Sequence, residues 1–160
     1  MVYLDYAAST SMTKTVIASI VDVMENHYGN PSSRHSHGSA SQKLLHETRV
    51  FLQGTFNADV VFTSGATEAN NIGIVGMARS MRRATEGAVG HVVIGATEHR
   101  SSVKATLSLS GEGFEVSHMR LNSDMSLDLE HAATVIRKDT ILVVQMVRNV
   151  SHGIAQHDTL

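Results

Sequence analysis

The stretch FTSGATEANN, Phe62 to Asn71, decides how this chain is read, because it runs from apolar residues through a glycine into helix-forming ones. Val60 to Thr63 is short, apolar and β-branched, which predicts a buried strand. A helix is expected from about Thr67 to Arg83. A strand that turns into a helix through small residues leaves unpaired N–H groups at the helix start. Those donors and the helix dipole attract an anion, of which phosphate is the commonest in biology. Gly65 permits a positive φ and close approach of a ligand, Ala66 keeps that approach clear, and Thr67 and Ser64 add hydroxyls. The same residues also read as an ordinary capped helix, with Ser64 or Thr67 as N-cap and Glu68 at the positive end of the dipole. No Gly-Lys-Ser/Thr follows the glycine and no Gly-x-Gly-x-x-Gly is present, so the turn is neither a P-loop nor a dinucleotide fingerprint. Gly73 and Gly76 fall inside the helix and read as close-packing positions.

Outward from this turn, strands and helices alternate. Upstream, Thr13 to His27 carries Val16, Ile17, Ile20, Val23 and Met24 at helical spacing. The breaker cluster around Gly29-Asn30-Pro31 opens a polar loop, and a second helix is expected from Ser39 to Phe56 with Leu44, Leu45, Phe51 and Leu52 inward. Downstream, His91 to Ala96 reads as a strand, Ser101 to Ser110 as a helix capped by Glu98, and Phe114 to His118 as a short strand. A helix from Ser126 to Arg137 then leads to Thr140 to Val147, the most apolar strand. No tight hairpin joins any two of these strands, so the expected fold is a three-layer α/β/α arrangement on a largely parallel sheet. No linker or repeat divides the chain, so residues 1–160 are expected to form a single domain.

Composition narrows the function. Hydrophobic residues at 42% and charged residues at 18% suit a folded globular chain rather than a disordered one. A formal net charge of -2 and only 4% aromatics give no case for nucleic acid or an anionic membrane. The absence of cysteine excludes disulfides, thiolate metal sites and a cysteine nucleophile within these residues. No apolar run approaches the roughly 20 residues of a membrane span, and the first residues lack a signal-like core, so a cytoplasmic location is expected. The ten histidines prompt a metal reading, carried by His35-x-His37, but no His-x-x-x-His flanked by carboxylates lies on an expected helix and no metal site is expected.

FTSGATEANN resembles the phosphate-loop signature of cysteine desulfurases, pyridoxal-phosphate enzymes of the class V aminotransferase fold. YLDYAAST (Tyr3 to Thr10) is similar to their N-terminal segment and GNPSSRHSHG (Gly29 to Gly38) to their next loop. ATEHRSSV (Ala96 to Val103) is similar to their Thr-Glu-His segment, and GFEVSHM and DTILVVQMV continue in step, with a short deletion between Asp59 and Val60. The resemblance implies the incomplete large domain of a fold-type I pyridoxal-phosphate enzyme. It implies that Ala66 and Thr67 bind the cofactor phosphate. His99 would stack on the pyridine ring and exchange protons with the substrate adduct. The implied substrate is L-cysteine, with its sulfur passed to an enzyme cysteine for iron-sulfur cluster or thio-modification pathways.

The chain departs from that pattern after residue 147. Counted without a gap, Asn149-Val150-Ser151-His152-Gly153 stands where the family has Asn-Asn-Glu, a small or branched residue and Gly, so valine replaces an asparagine that meets the ring hydroxyl. The family's aspartate facing the ring nitrogen, its Schiff-base lysine and its sulfur-accepting cysteine have no counterpart here. Lys14, Lys43, Lys104 and Lys138 all lie in helical contexts unlike that of the family's lysine. The expectation is therefore a truncated N-terminal segment, inactive alone. It is either half of a split enzyme completed by a partner chain, or a non-catalytic relic acting as an interaction module or weak phosphate binder. The family's habit and the uncovered last strand imply association, as a homodimer or with a complementary chain.

Overall fold

Val92, Val93 and Ile94 are β-branched, apolar and fully buried, and they make the strand around which the second half of the chain is built. In the computed structural model, residues 2–6, 8–85, 89–146, 148–149 and 154–155 are described. They fall into two units, residues 1–62 and 63–160.

In the second unit, helix α3 (Ala66–Asn70) continues through a π-helical turn (Asn71–Val75) into α4 (Gly76–Ala84). Strand β1 (His91–Ile94) is followed by α5 (Arg100–Ser108), which tightens into a 3-10 turn at Leu109–Glu112. Strand β2 (Glu115–His118), helix α6 (Leu129–Val135) and strand β3 (Thr140–Val144) complete the pattern. The sheet order is β2-β1-β3, and both pairings are parallel, with Val92 opposite Val116 on one side and Leu142 on the other. Parallel neighbours require a crossover, and α5 and α6 supply the two. Adjacent strand residues face opposite ways, so Val92 packs with Val75, Ala78, Ala105, Leu109 and Phe114, while Val93 packs with Met119, Leu127 and Ala132. Helices therefore cover both faces, and the expected α/β/α layering on a parallel sheet is found.

His91 opens β1 fully buried. Its Nδ1 lies 2.8 Å from the Thr140 hydroxyl on β3 and its Nε2 2.8 Å from the Ser117 hydroxyl on β2, so one ring spans the three strands. Beside it, Arg137 pairs with Glu115 and Asp139 and holds both carboxyls below the ordinary range. The tail adds an antiparallel pair, β4 (Arg148–Asn149) with β5 (Ile154–Ala155), where no hairpin was expected.

The first unit holds α1 (Lys14–Asn26), capped by the Thr13 hydroxyl, and α2 (Ser36–Phe56), capped by His35 Nδ1. Helix α2 starts three residues earlier than expected because the His35 ring accepts the Gly38 N–H at 3.2 Å. The inward face expected of α2 is formed only in part, because Leu44 and Leu52 are half-buried but the other two residues are not. Phe51 is 70% exposed and Leu45 is also exposed, as is the apolar stripe Val16, Ile17, Ile20 and Val23 on α1. The strand expected at Val60–Thr63 is absent too, with Val61 72% exposed; its residues suit a strand, but among the described residues no neighbour pairs with them.

The glycines of the 29–38 loop have a steric reason. A Cβ at Gly38 would collide with the Ser33 carbonyl oxygen and stand 2.7 Å from Asn30 O, and one at Gly29 would stand 2.6 Å from the His37 carbonyl. These are backbone atoms and cannot swing aside. Gly38→Ala is expected to cost about 1–3 kcal/mol of unfolding free energy. Gly54→Ala, in α2 with nothing within 4 Å of the new carbon, should be neutral or stabilising by up to about 1 kcal/mol. Urea midpoints of the two variants that fail to separate in this order would refute the steric account.

Candidate functional site

The residues singled out from the sequence, Ala66, Thr67 and His99, lie at two helix starts. At the first, Ser64 donates both its N–H (2.6 Å) and its hydroxyl (2.7 Å) to Glu68 Oε2, and these bonds hold the Glu68 carboxyl below its usual range. Glu68 therefore reaches back to Ser64, and neither Ser64 nor Thr67 is the N-cap. That place belongs to Gly65, which makes no side-chain cap bond. Gly65 is extended at φ 163°, not left-handed as expected, and no heavy atom lies within 4 Å of where its Cβ would stand. The room beside the backbone is present although the left-handed conformation is not. The first helical bond runs from Ala69 N–H to Gly65 O at 3.1 Å. It leaves the N–H groups of Ala66 and Thr67 without an acceptor among the described residues. Thr67 is exposed at the same place. Gly73 and Gly76 also have open space at their Cβ positions, so neither is the close-packing glycine expected from the sequence.

At the second start, β1 ends at Ile94 and the chain passes through Gly95 to His99. His99, not Glu98, caps α5: its Nδ1 accepts the Ser101 N–H at 3.2 Å and lies 2.7 Å from the Ser101 hydroxyl. Glu98 instead accepts from Met146 N–H, just beyond β3, and from Ser102. Burial pushes its carboxyl up, and the two hydrogen bonds work against that shift. Glu98 thus ties the end of β3 to the start of α5. Gln145 packs its amide against Gly95, where a Cβ would strike it.

The two starts are joined. Asn70, one helical turn beyond Ala66, donates from Nδ2 to Ser101 Oγ at 2.7 Å. Neither Asn70 nor Ser101 was singled out from the sequence. Their one signal was placement, since Asn70 lies four residues after Ala66 and Ser101 two after His99. Val150 and His152, at the departing signature position, lie outside the described residues. His35 and His37 serve the loop: His35 caps α2 and His37 stacks on Tyr28 at 5.4 Å. Among the described residues, no three metal-ligating side chains gather.

The donor set suits the phosphate end of pyridoxal phosphate: two free N–H groups, a threonine hydroxyl and a helix start that carries positive potential. The exposed imidazole of His99, anchored through Nδ1, suits a flat ring. The match ends there, because no lysine or aspartate is placed by these contacts at either helix start.

Comparisons with known proteins bear on the family of the chain. A profile of the family described as Aminotransferase class-V matches residues 2–158. Cysteine desulfurase IscS 1 of Archaeoglobus fulgidus is 39% identical over 153 residues, which are 93% of this chain and 39% of that protein. The mitochondrial cysteine desulfurase of Candida albicans is 33% identical, over 97% of this chain and 32% of its own length. Among solved structures, DndA from Streptomyces lividans superposes with a TM-score of 0.75 at 32% identity, covering 97% of this chain and 43% of that one. SspA in complex with cysteine gives 0.71 at 27% identity, covering 88% and 40%. This chain spans about a third to two-fifths of the length of these relatives.

Proposed function

The chain belongs to the class-V aminotransferase family, and from that premise we propose that it is the N-terminal, cofactor-cradling part of a cysteine desulfurase. The family is dependent on pyridoxal phosphate, and the Archaeoglobus and Candida relatives are called cysteine desulfurases. Residues 1–160 then form one incomplete domain. The observation that carries the proposal is the 2.7 Å bond from Asn70 to Ser101, which sets the anion-ready turn beside the helix that His99 caps.

In this reading the Ala66 and Thr67 N–H groups and the Thr67 hydroxyl hold the phosphate. The helix dipole adds to their pull, and Glu68 stays occupied with Ser64. When bound, the cofactor supplies an aldehyde for the substrate amine and a ring that accepts electrons. His99 stacks on that ring and offers its outward nitrogen to take or return a proton. L-Cysteine is the substrate, and its sulfur must leave on a thiol that these 160 residues do not contain. The lysine, aspartate and cysteine come from further chain or from a partner, and the exposed apolar stripe of α1 supports association. Iron-sulfur assembly or thio-modification, and the cytoplasmic location expected from the sequence, go with this reading.

A second reading has one observation in its favour. Val150, at a signature asparagine, favours a non-catalytic relic that keeps only the phosphate cup. One experiment separates the two. The 160-residue polypeptide is titrated with pyridoxal phosphate, followed by absorbance, borohydride reduction and a sulfide assay with L-cysteine. We expect saturable binding, weakened roughly tenfold by Thr67→Val, with no borohydride-fixed adduct and no sulfide. Tighter binding and sulfide release on adding a second polypeptide with the missing residues would favour the split enzyme over the relic. Sulfide from the single chain, or no binding at all, would overturn the proposal.

A further inference from the structure

His99 Nδ1 is approached by two groups of Ser101, and one of them settles the direction of the hydrogen bonds. A backbone N–H can only donate, so Nδ1, which receives the Ser101 N–H at 3.2 Å, is an acceptor. Asn70 Nδ2 donates to Ser101 Oγ at 2.7 Å and approaches Ser102 Oγ at 3.4 Å. With an oxygen lone pair filled by Asn70, the Ser101 hydroxyl proton turns to His99 Nδ1, 2.7 Å away. The relay runs one way, from the Asn70 amide through the Ser101 hydroxyl to the imidazole. It places the neutral ring's proton on Nε2.

We propose that Asn70 and Ser101 are positioning residues for His99: they fix the imidazole as its Nε2–H tautomer and pin the ring to the helix that starts at the Ser64–Thr67 turn. The ligand-facing part of this inference rests on the cofactor reading above. The tautomer part does not. Three features single out the relay from ordinary helix capping. It crosses between two helices, it links residues 31 apart in sequence, and it uses a side chain that a cap would not need. Its consequence is that a group holding the phosphate and a group lying on the ring keep one relative position. A proton leaves or arrives at this imidazole only through Nε2, because Nδ1 is occupied by protein donors.

The decisive measurement is the long-range proton–nitrogen spectrum of the histidine rings in the 160-residue chain without cofactor, at about pH 9, well above the ordinary histidine range. His99 is assigned by its loss in His99→Gln. The expected spectrum has Nδ1 in the unprotonated range and Nε2 in the protonated one. Ser101→Ala should move both shifts toward the tautomer-averaged position, and Ser101→Thr, which keeps the hydroxyl, should restore them. Asn70→Ala should give a smaller change in the same direction. In pyridoxal phosphate titrations, Ser101→Ala should weaken binding about threefold to tenfold, with Ser101→Thr near the parent.

A parent spectrum with the proton on Nδ1 overturns the proposal without any variant, so a substitution that fails to fold leaves it testable. Shifts unchanged in folded Ser101→Ala would remove Ser101 from the role. If the parent shows the Nε2–H tautomer but takes up no pyridoxal phosphate, the relay stands and the cofactor reading falls. If it binds cofactor with an averaged tautomer, the cofactor reading stands and the relay falls.

Discussion

Replacing His91 with alanine is expected to lower the free energy of unfolding by about 3–5 kcal/mol, the range for deleting a buried ring from a core. The ring is fully buried at the start of the central strand, and its loss opens a cavity there. It also strips the partner from the Ser117 and Thr140 hydroxyls, which hold the ring from the two neighbouring strands at 2.8 Å each. Against a typical total of about 5–15 kcal/mol, such a loss removes much of the stability. A urea midpoint near that of the parent would show that the three strands do not depend on this contact.

The same residue sets a pH dependence. Burial depresses the His91 pKa, the Arg137 charge adds to that effect, and the Glu115 and Asp139 carboxylates oppose it. The folded state therefore binds the proton less readily than the unfolded chain does. Stability is fully present above the ordinary histidine pKa of about 6.5 and declines as pH falls through that value toward the lower folded-state one. The expected urea midpoint falls between about pH 7 and pH 5, and His91→Asn should flatten the decline. A profile as steep in the variant as in the parent would assign the dependence to other groups.

Leu109→Ala is expected to cost about 2–5 kcal/mol. Leu109 is fully buried where α5 tightens into its 3-10 turn, packed with Val75, Ala78, Val92 and Phe114, and its carbonyl accepts the Phe114 N–H at 3.1 Å. The substitution leaves α5 unsupported against the sheet, so it should also loosen the helix that His99 caps. Phe51→Ala is the matched control. Its larger side chain is exposed on α2, and its removal should change stability by no more than about 0.5 kcal/mol. Thermal and urea unfolding of the pair should give a large loss for the smaller residue and almost none for the larger. The reverse order would mean that Phe51 belongs to the inward face of α2 after all.

Most of the architecture was legible without coordinates. The alternation of β-branched runs with helical periodicity at 91–144 determined a parallel sheet with crossover helices. The spacing of small residues at 64–67 determined a helix start with free N–H groups. Both depend on short windows of sequence, where side-chain period and backbone preference act on neighbouring residues. The ordered motifs from Tyr3 to Val147 also pointed to the family that the profile match then supported.

What the tertiary structure alone decided were the contacts between distant residues. Val60 to Thr63 has the composition of a strand, yet a strand exists only with a hydrogen-bonded neighbour, and none is found among the described residues. Glu98 and His99 are both able to cap α5. His99 does so because Glu98 is drawn to Met146 N–H, 48 residues away. The Asn70–Ser101 bond spans 31 residues and was invisible to any local window. The sequence by itself determined where a helix starts with free N–H groups; packing across the chain decided which side chains hold His99 at the neighbouring helix start.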